Sequence, residues 1–154
     1  MTMTKEQAKA TNYLMSIRSV EKKIYSKRLE LEALQYKASG AGAIRYDKDR
    51  VQTSPDDYLA KAMVDIIEIE KQIEKEESEI EKKKGRAYSI VRQIEHPDQR
   101  IIIEWYYLNG LSMTETATKM NIAERTAYYL RDDALEVFGS CMNKKFADVA
   151  VDCR

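Results

Sequence analysis

The residues of this chain best suited to chemistry lie between Ser112 and Arg131, and the chemistry they suit is hydrogen bonding to a polyanion and to base edges. The spacing predicts a helix from Glu124 to about Phe138 that buries Ala127, Leu130, Ala134, Leu135 and Phe138. Its outward residues are then Glu124, Arg125, Thr126, Tyr128, Tyr129, Arg131 and Asp132. Arg125 can present a two-pronged fork to guanine, Thr126 can touch a thymine methyl, and Glu124 can accept from a cytosine amine. Tyr128, Tyr129 and Arg131 suit phosphate oxygens, as do Thr114 and the amides of the helix that Ser112 opens. The plainer reading is the solvated side of a small helical domain. Two adjacent tyrosines beside Arg125 favour contact over idle surface.

Catalytic chemistry has no comparable set of residues. His96 is the single histidine, which excludes a histidine-based triad and a multi-histidine metal site, and beside Pro97 it reads as a helix end. Gly40 and Gly42 lack the downstream Lys-Ser/Thr of a phosphate loop. Cys141 and Cys153 stand twelve apart with no histidine near, and Asp132 and Asp133 diverge on a helix. The expectation is a protein that is not an enzyme, with no cofactor and no metal.

The outward residues need a scaffold, and residues 97–138 provide its pattern. Asp98 and Gln99 open a helix whose predicted buried face is Ile101, Ile102, Trp105, Tyr106 and Leu108, ended by a left-handed cap at Asn109-Gly110. Ser112 and Glu115 form a capping box. Met113, Thr116, Ala117 and Met120 point inward, with Ala117 small where the next helix must approach. Asn121 makes a turn, Ile122 plugs it into the core, and Ala123 stands where a capping Ser or Thr is expected. The last two helices have the spacing of a helix-turn-helix, in which the second helix lies in the major groove.

Upstream, helical periodicity dominates. Ala10, Tyr13, Ile17, Val20, Ile24, Leu31 and Leu34 mark a seam on a helix from about Lys5 to Lys37, with Lys27 at one seam position. Ser39-Gly40-Ala41-Gly42 breaks it, and the stretch through Thr53 has turn chemistry. Ser54-Pro55-Asp56-Asp57 then opens a second helix, with a capping hydroxyl, a proline at the first helical position and two acids at the positive helix end. Its seam runs through Leu59, Met63, Ile66, Ile73, Ile80, Ala87, Val91 and Ile94, interrupted by Glu70, Glu77 and Lys84. Gly85 is a bend candidate, and His96-Pro97 is the stop. The interrupting charges read first as solvated seam positions and second as register or partner determinants. The Glu74–Lys84 run reads as a solvated face.

The expected architecture is all-α: a long N-terminal antiparallel, coiled-coil-like helical hairpin over residues 1–96, a three-helix unit over 97–138, and a tail over 139–154. Self-association as a homodimer is expected, because a two-helix seam is thin. No run approaches the roughly 20 apolar residues that span a bilayer, and the first residues, Thr2 to Lys9, are polar rather than a signal peptide. With two late cysteines, this points to a reducing cytoplasm. Residues 97–154 hold seven Lys and Arg against nine Asp and Glu, a net of −2, while 1–96 hold nineteen against seventeen, a net of +2. A single copy should therefore bind a phosphate backbone weakly.

Residues 97–138 resemble region 4 of sigma-70-type factors, the module that reads the −35 promoter element. The shared residues are Tyr107-Leu108, then Gly110-Leu111-Ser112, Glu115 and Ala117, with Thr116 where the family has Ile. Asn121-Ile122 stands for its turn and Ala134-Leu135 for its closing pair. The whole layout is similar to regulators encoded by phages and prophages of Gram-positive bacteria, of the RinA and ArpU late-gene activator type, including the motif Tyr46…Val51-Gln52-Thr53-Ser54-Pro55. The resemblance implies a transcriptional regulator that binds double-stranded DNA, with Glu124, Arg125, Tyr128 and Tyr129 as base-reading positions. With no counterpart of sigma region 2, promoter melting is not implied. The competing expectations are a module that docks RNA polymerase or a sigma factor without reading DNA, and a small phage packaging or structural factor.

Overall fold

The computed structural model of the chain describes residues 2–39 and 55–152, with side chains placed for 2–39 and 57–144. All regular structure among the described residues is helical: α1 (Lys5–Ala38), α2 (Pro55–Val91), α3 (Pro97–Ile102), α4 (Met113–Met120) and α5 (Glu124–Asp152), with a π-helical segment, Ile103–Leu108, continuing α3. The protein is all-α. The glycine-rich break at 40–42, the 46–54 motif and the Ser54 cap lie outside the described residues.

The chain forms two compact units, Met1–Ser19 with Glu81–Arg154, and Val20–Ile80. This differs from a division at 1–96, 97–138 and 139–154, because the first turns of α1 belong with the C-terminal helices. In that first unit Ala10, Leu14 and Ile17 are fully buried, and Tyr13 stacks near Phe138 with ring centres 6.4 Å apart. The Tyr13 hydroxyl donates to the Lys83 carbonyl at 2.9 Å. Gln7 donates to the Asp132 carbonyl at 3.0 Å, Asn143 donates to Glu6 at 2.6 Å, and Thr4 pairs with Glu136. Helix α2 continues through Gly85 without interruption. A helical interior tolerates one glycine at a cost of roughly 1 kcal/mol.

In the unit formed by Val20–Ile80, the core is a single row of Ile24, Ala62, Ile66, Ile69, Ile73 and Ile80. Lys27 bonds Glu76 at 2.7 Å and Arg28 pairs with Glu77, so α1 and α2 lie side by side there. Two expected seam positions are wrong: Leu59 and Met63 face solvent, while Ala62 and Ile69 take the inner places. The inner row still steps by seven, Ala62 with Ile69 and Ile66 with Ile73 and Ile80: the expected seam took Met63 where the alternating position is Ala62, and Leu59, in step with Ile66, is exposed near the start of α2.

A second correction concerns residues 101–108. The buried set is Ile102, Ile103, Tyr107 and Leu108, and the expected Ile101, Trp105 and Tyr106 are half-buried. Buried pairs spaced by five rather than by four mark the widened turn: the Asn109 amide donates five residues back, to Glu104, at 2.8 Å. Gly110 alone carries the left-handed conformation there, at φ 74°, while Asn109 stays right-handed.

The third correction is the length of α5, which continues past Phe138 through the stretch read as a tail. Gly139 explains how. It is buried, and a Cβ at that position would stand 2.2 Å from the Glu6 carbonyl oxygen, so only glycine lets α5 pass this close to the first turn of α1. Met142, one turn on, is buried too. Gly139→Ala should destabilise the protein by at least about 1–3 kcal/mol, the usual cost of overpacking. A chemical denaturation midpoint that does not move would show that α1 is not seated on α5 there.

Candidate nucleic-acid interface

The site begins with Ser112. Its hydroxyl accepts from the Glu115 amide at 3.1 Å, and the Glu115 carboxylate accepts from the Ser112 amide at 3.3 Å, giving both halves of the expected capping box. The box fixes the start of α4. Met113, Thr116 and Ala117 are buried beneath it, and Met120 is half-buried. The Thr116 hydroxyl is satisfied by the Ser112 carbonyl at 2.8 Å. Thr116 therefore occupies an apolar position of the related pattern with its one polar atom paired back along its own helix.

Asn121 turns the chain. It is left-handed, at φ 59° and ψ 44°, a conformation asparagine accepts at small cost. The Ile122 amide then returns to the Ala117 carbonyl at 3.0 Å. Ile122 itself is half-buried rather than fully inserted. Ala123 offers no side-chain cap, and its carbonyl accepts the first bond of α5, from Ala127, at 3.0 Å. Ala127, Ala134, Leu135 and Phe138 are buried and Leu130 is half-buried, so the inward face of α5 is the expected one.

On the opposite face the structure brings the candidate residues together. Glu124, Arg125, Thr126, Tyr128 and Tyr129 are all exposed, the two tyrosines at 41% and 53%. Ser112 and Thr114 are exposed at the start of α4. The Arg125 guanidinium donates to the Tyr129 hydroxyl at 3.2–3.3 Å and lies 5.8 Å from its ring centre, an i,i+4 contact along the helix surface. Arg131 is the candidate with an ion pair beside it. It is half-buried, donates to Asp132 at 3.0 Å, and lies 5.0 Å from the Tyr128 ring centre. A guanidinium already stacked and paired holds Tyr128 in place more readily than it reaches outward.

One residue that holds this arrangement was not anticipated. Arg18, on α1, donates to the carbonyls of Tyr106 at 2.6 Å and Leu111 at 3.2 Å, with its guanidinium 4.3 Å from the Tyr106 ring centre. The widened turn and the loop after it present carbonyls that their own helix does not satisfy, and Arg18 supplies the donors. Arg18 stands off the seam, 88 residues before Tyr106, so no local pattern pointed to it.

Tyr107 lies inside the same unit at 2% exposure. Burial pushes its phenol up to about 12 from the ordinary 10, with Arg131 opposing the shift. Because the folded value is raised, the phenol's contribution is fully present below pH 10 and is lost as pH climbs toward 12, by about 2–3 kcal/mol. Tyr107→Phe should therefore flatten the loss of unfolding free energy between pH 9.5 and 11.5, measured by urea titration. An unchanged slope would mean that this phenol is not desolvated.

Among the described residues no group of three or more His, Cys, Asp or Glu side chains is placed to hold a metal ion, and no helix is long and apolar enough to cross a membrane. No curated protein and no solved structure matches the chain. Residues 42–138, more than half of the sequence, match one family, and they take in the whole candidate face from Ser112 through Arg131. The chain belongs to that family, which is described as "Protein of unknown function (DUF1492)".

Proposed function

We propose that the protein is a phage-type transcriptional regulator that binds double-stranded DNA in a sequence-specific manner, with α4, the Asn121 turn and α5 acting as a helix-turn-helix. The observation that carries this reading is the first two turns of α5: Arg125, Thr126, Tyr128 and Tyr129 are exposed while Ala127, Ala134 and Phe138 opposite them are buried. The early residues of a recognition helix are those that reach base edges. Among the described residues the Arg125 guanidinium bonds Tyr129 on its own helix, a contact it can exchange for guanine. The likeness to sigma region 4 at Gly110-Leu111-Ser112, Glu115 and Ala117 supports the same assignment. The remaining features of the proposal are an antiparallel α1–α2 hairpin, a homodimer, a cytoplasmic location and no catalytic activity.

One observation favours a second reading. Residues 97–154 carry a net charge of −2, which suits docking on RNA polymerase or a sigma factor without base contact. The two readings part under selection from random duplex DNA followed by gel shift at two salt concentrations. Sequence-specific binding should emerge, and Arg125→Ala should weaken it by about 1–3 kcal/mol while relaxing preference at one base pair. A polymerase subunit that co-purifies, with no DNA enriched by the selection, would overturn base reading.

A further inference from the structure

We infer that the unit formed by Val20–Ile80 is the surface on which a second copy of this chain docks, α1 of each copy lying on α2 of the other. The inference gives the homodimer of the preceding proposal an interface. Tyr25, Leu29 and Tyr36 on α1, and Met63, Val64 and Ile67 on α2, are large apolar side chains left exposed, Tyr25 at 65% and Met63 at 53%. They are not scattered. Tyr25, Leu29 and Tyr36 are four and seven residues apart, one stripe of a helix, and Met63 and Ile67 are four apart.

The two stripes share a side. Tyr25 follows buried Ile24, Met63 follows buried Ala62, and Ile67 follows buried Ile66, so these three turn off the seam in the same rotational sense, with Leu29 and Tyr36 slightly further round α1 and Val64 on the far side of α2. In antiparallel helices that sense brings both stripes to the same face of the pair. The face two helices wide extends over the 19 residues of α1 in this unit, Val20–Ala38, roughly 28 Å by 20 Å at 1.5 Å per residue with helices about 10 Å apart. That projected area, roughly 560 Å², stands at the small end of specific interfaces.

Charge decides the pairing. The α1 stretch Val20–Ala38 holds five Lys and Arg against three Glu, a net of +2, while the α2 stretch Pro55–Ile80 holds three Lys against nine Asp and Glu, a net of −6. Laying α2 on α2 opposes like charge, whereas α1 on the partner's α2 opposes unlike charge, and a two-fold axis makes that contact twice. The shallow groove between the helices is mostly acidic, with Glu32 of α1 adding to the glutamates of α2. Its floor includes Leu31 and Ile73, and Glu32, Glu70, Glu74 and Glu77 stand around it with Arg28.

The test uses the full chain without DNA, so its outcome is independent of base reading. Sedimentation equilibrium at about 10 µM should give a dimer, and Ile67→Glu with Leu29→Glu should give a monomer of unchanged helicity. A wild-type monomer, or a dimer that survives both changes, overturns the inference. A monomeric wild type would leave this face to a different protein. In a background with Cys141→Ser and Cys153→Ser, a chain with Leu29→Cys is mixed with one carrying Met63→Cys and oxidised. Cross-linked heterodimer should exceed either homodimer, and predominance of a homodimer overturns the crossed pairing even where the acidic substitutions prevent folding.

Discussion

The fold of the C-terminal unit depends on one close approach, that of α5 to the first turn of α1 at Gly139. A helix can come within bonding distance of another backbone only where it has no Cβ, and here the missing Cβ would fall 2.2 Å from the Glu6 carbonyl oxygen. That contact lets Ala10, Leu14 and Ile17 share a buried layer with Ala134, Leu135 and Phe138 in this unit. With the inward face of α5 so committed, the rotation of the helix about its axis is set, and Arg125, Thr126 and Tyr129 have only the outside to occupy. The exposed face thus follows from core packing some ten residues away, rather than from any preference of the exposed residues themselves.

The widened turn at Ile103–Leu108 places a second demand on the same unit. Inserting a residue into a helix shifts every later side chain around the axis and leaves carbonyls badly aimed. The shift carries Tyr107 into the interior in place of Tyr106, and the spare carbonyls of Tyr106 and Leu111 are taken up by Arg18. Such a feature is conditional: it persists because α1 supplies a cation at that point. The α3–α4 corner and the N-terminal helix are therefore one structure, although a whole intervening helix separates them in sequence.

What was legible in the sequence was local. The Ser112–Glu115 box, the Asn121 turn and the inward row of α5 are all dictated by residues within four positions of one another, and each is found as expected. The helix limits of α1 likewise follow from its pattern. What was not legible was non-local or off-period. Gly139 carries no sign of its role until the carbonyl it approaches is known, and no local pattern points to Arg18. Tyr107 moves inward only because of a turn with no propensity signal of its own, and Met63 loses its seam place because the position that alternates with Ile66 and Ile73 is that of Ala62 and Ile69.

Under the proposed duplex binding, the acidic balance of residues 97–154 would be offset in part by valency. Phosphate contact scales with the cations a protein brings; residues 97–154, at a net of −2, bring few, and Met1–Ser19 (+2) with Glu81–His96 (+3) raise the compact unit that holds them to a net of +3. Because α1 and α2 each pass through both compact units, pairing of two copies through one unit tethers two copies of the other. The second face then acts at an effective concentration set by the tether, up to the millimolar range, rather than at the free concentration of the protein. Weak single-copy binding becomes an advantage under that regime. Occupancy would follow the concentration of dimer, so binding rises steeply as the protein accumulates and stays low where only one half-site is present. On the proposed reading, the apolar stripes of the α1–α2 unit and the cations of α5 would be two parts of one device.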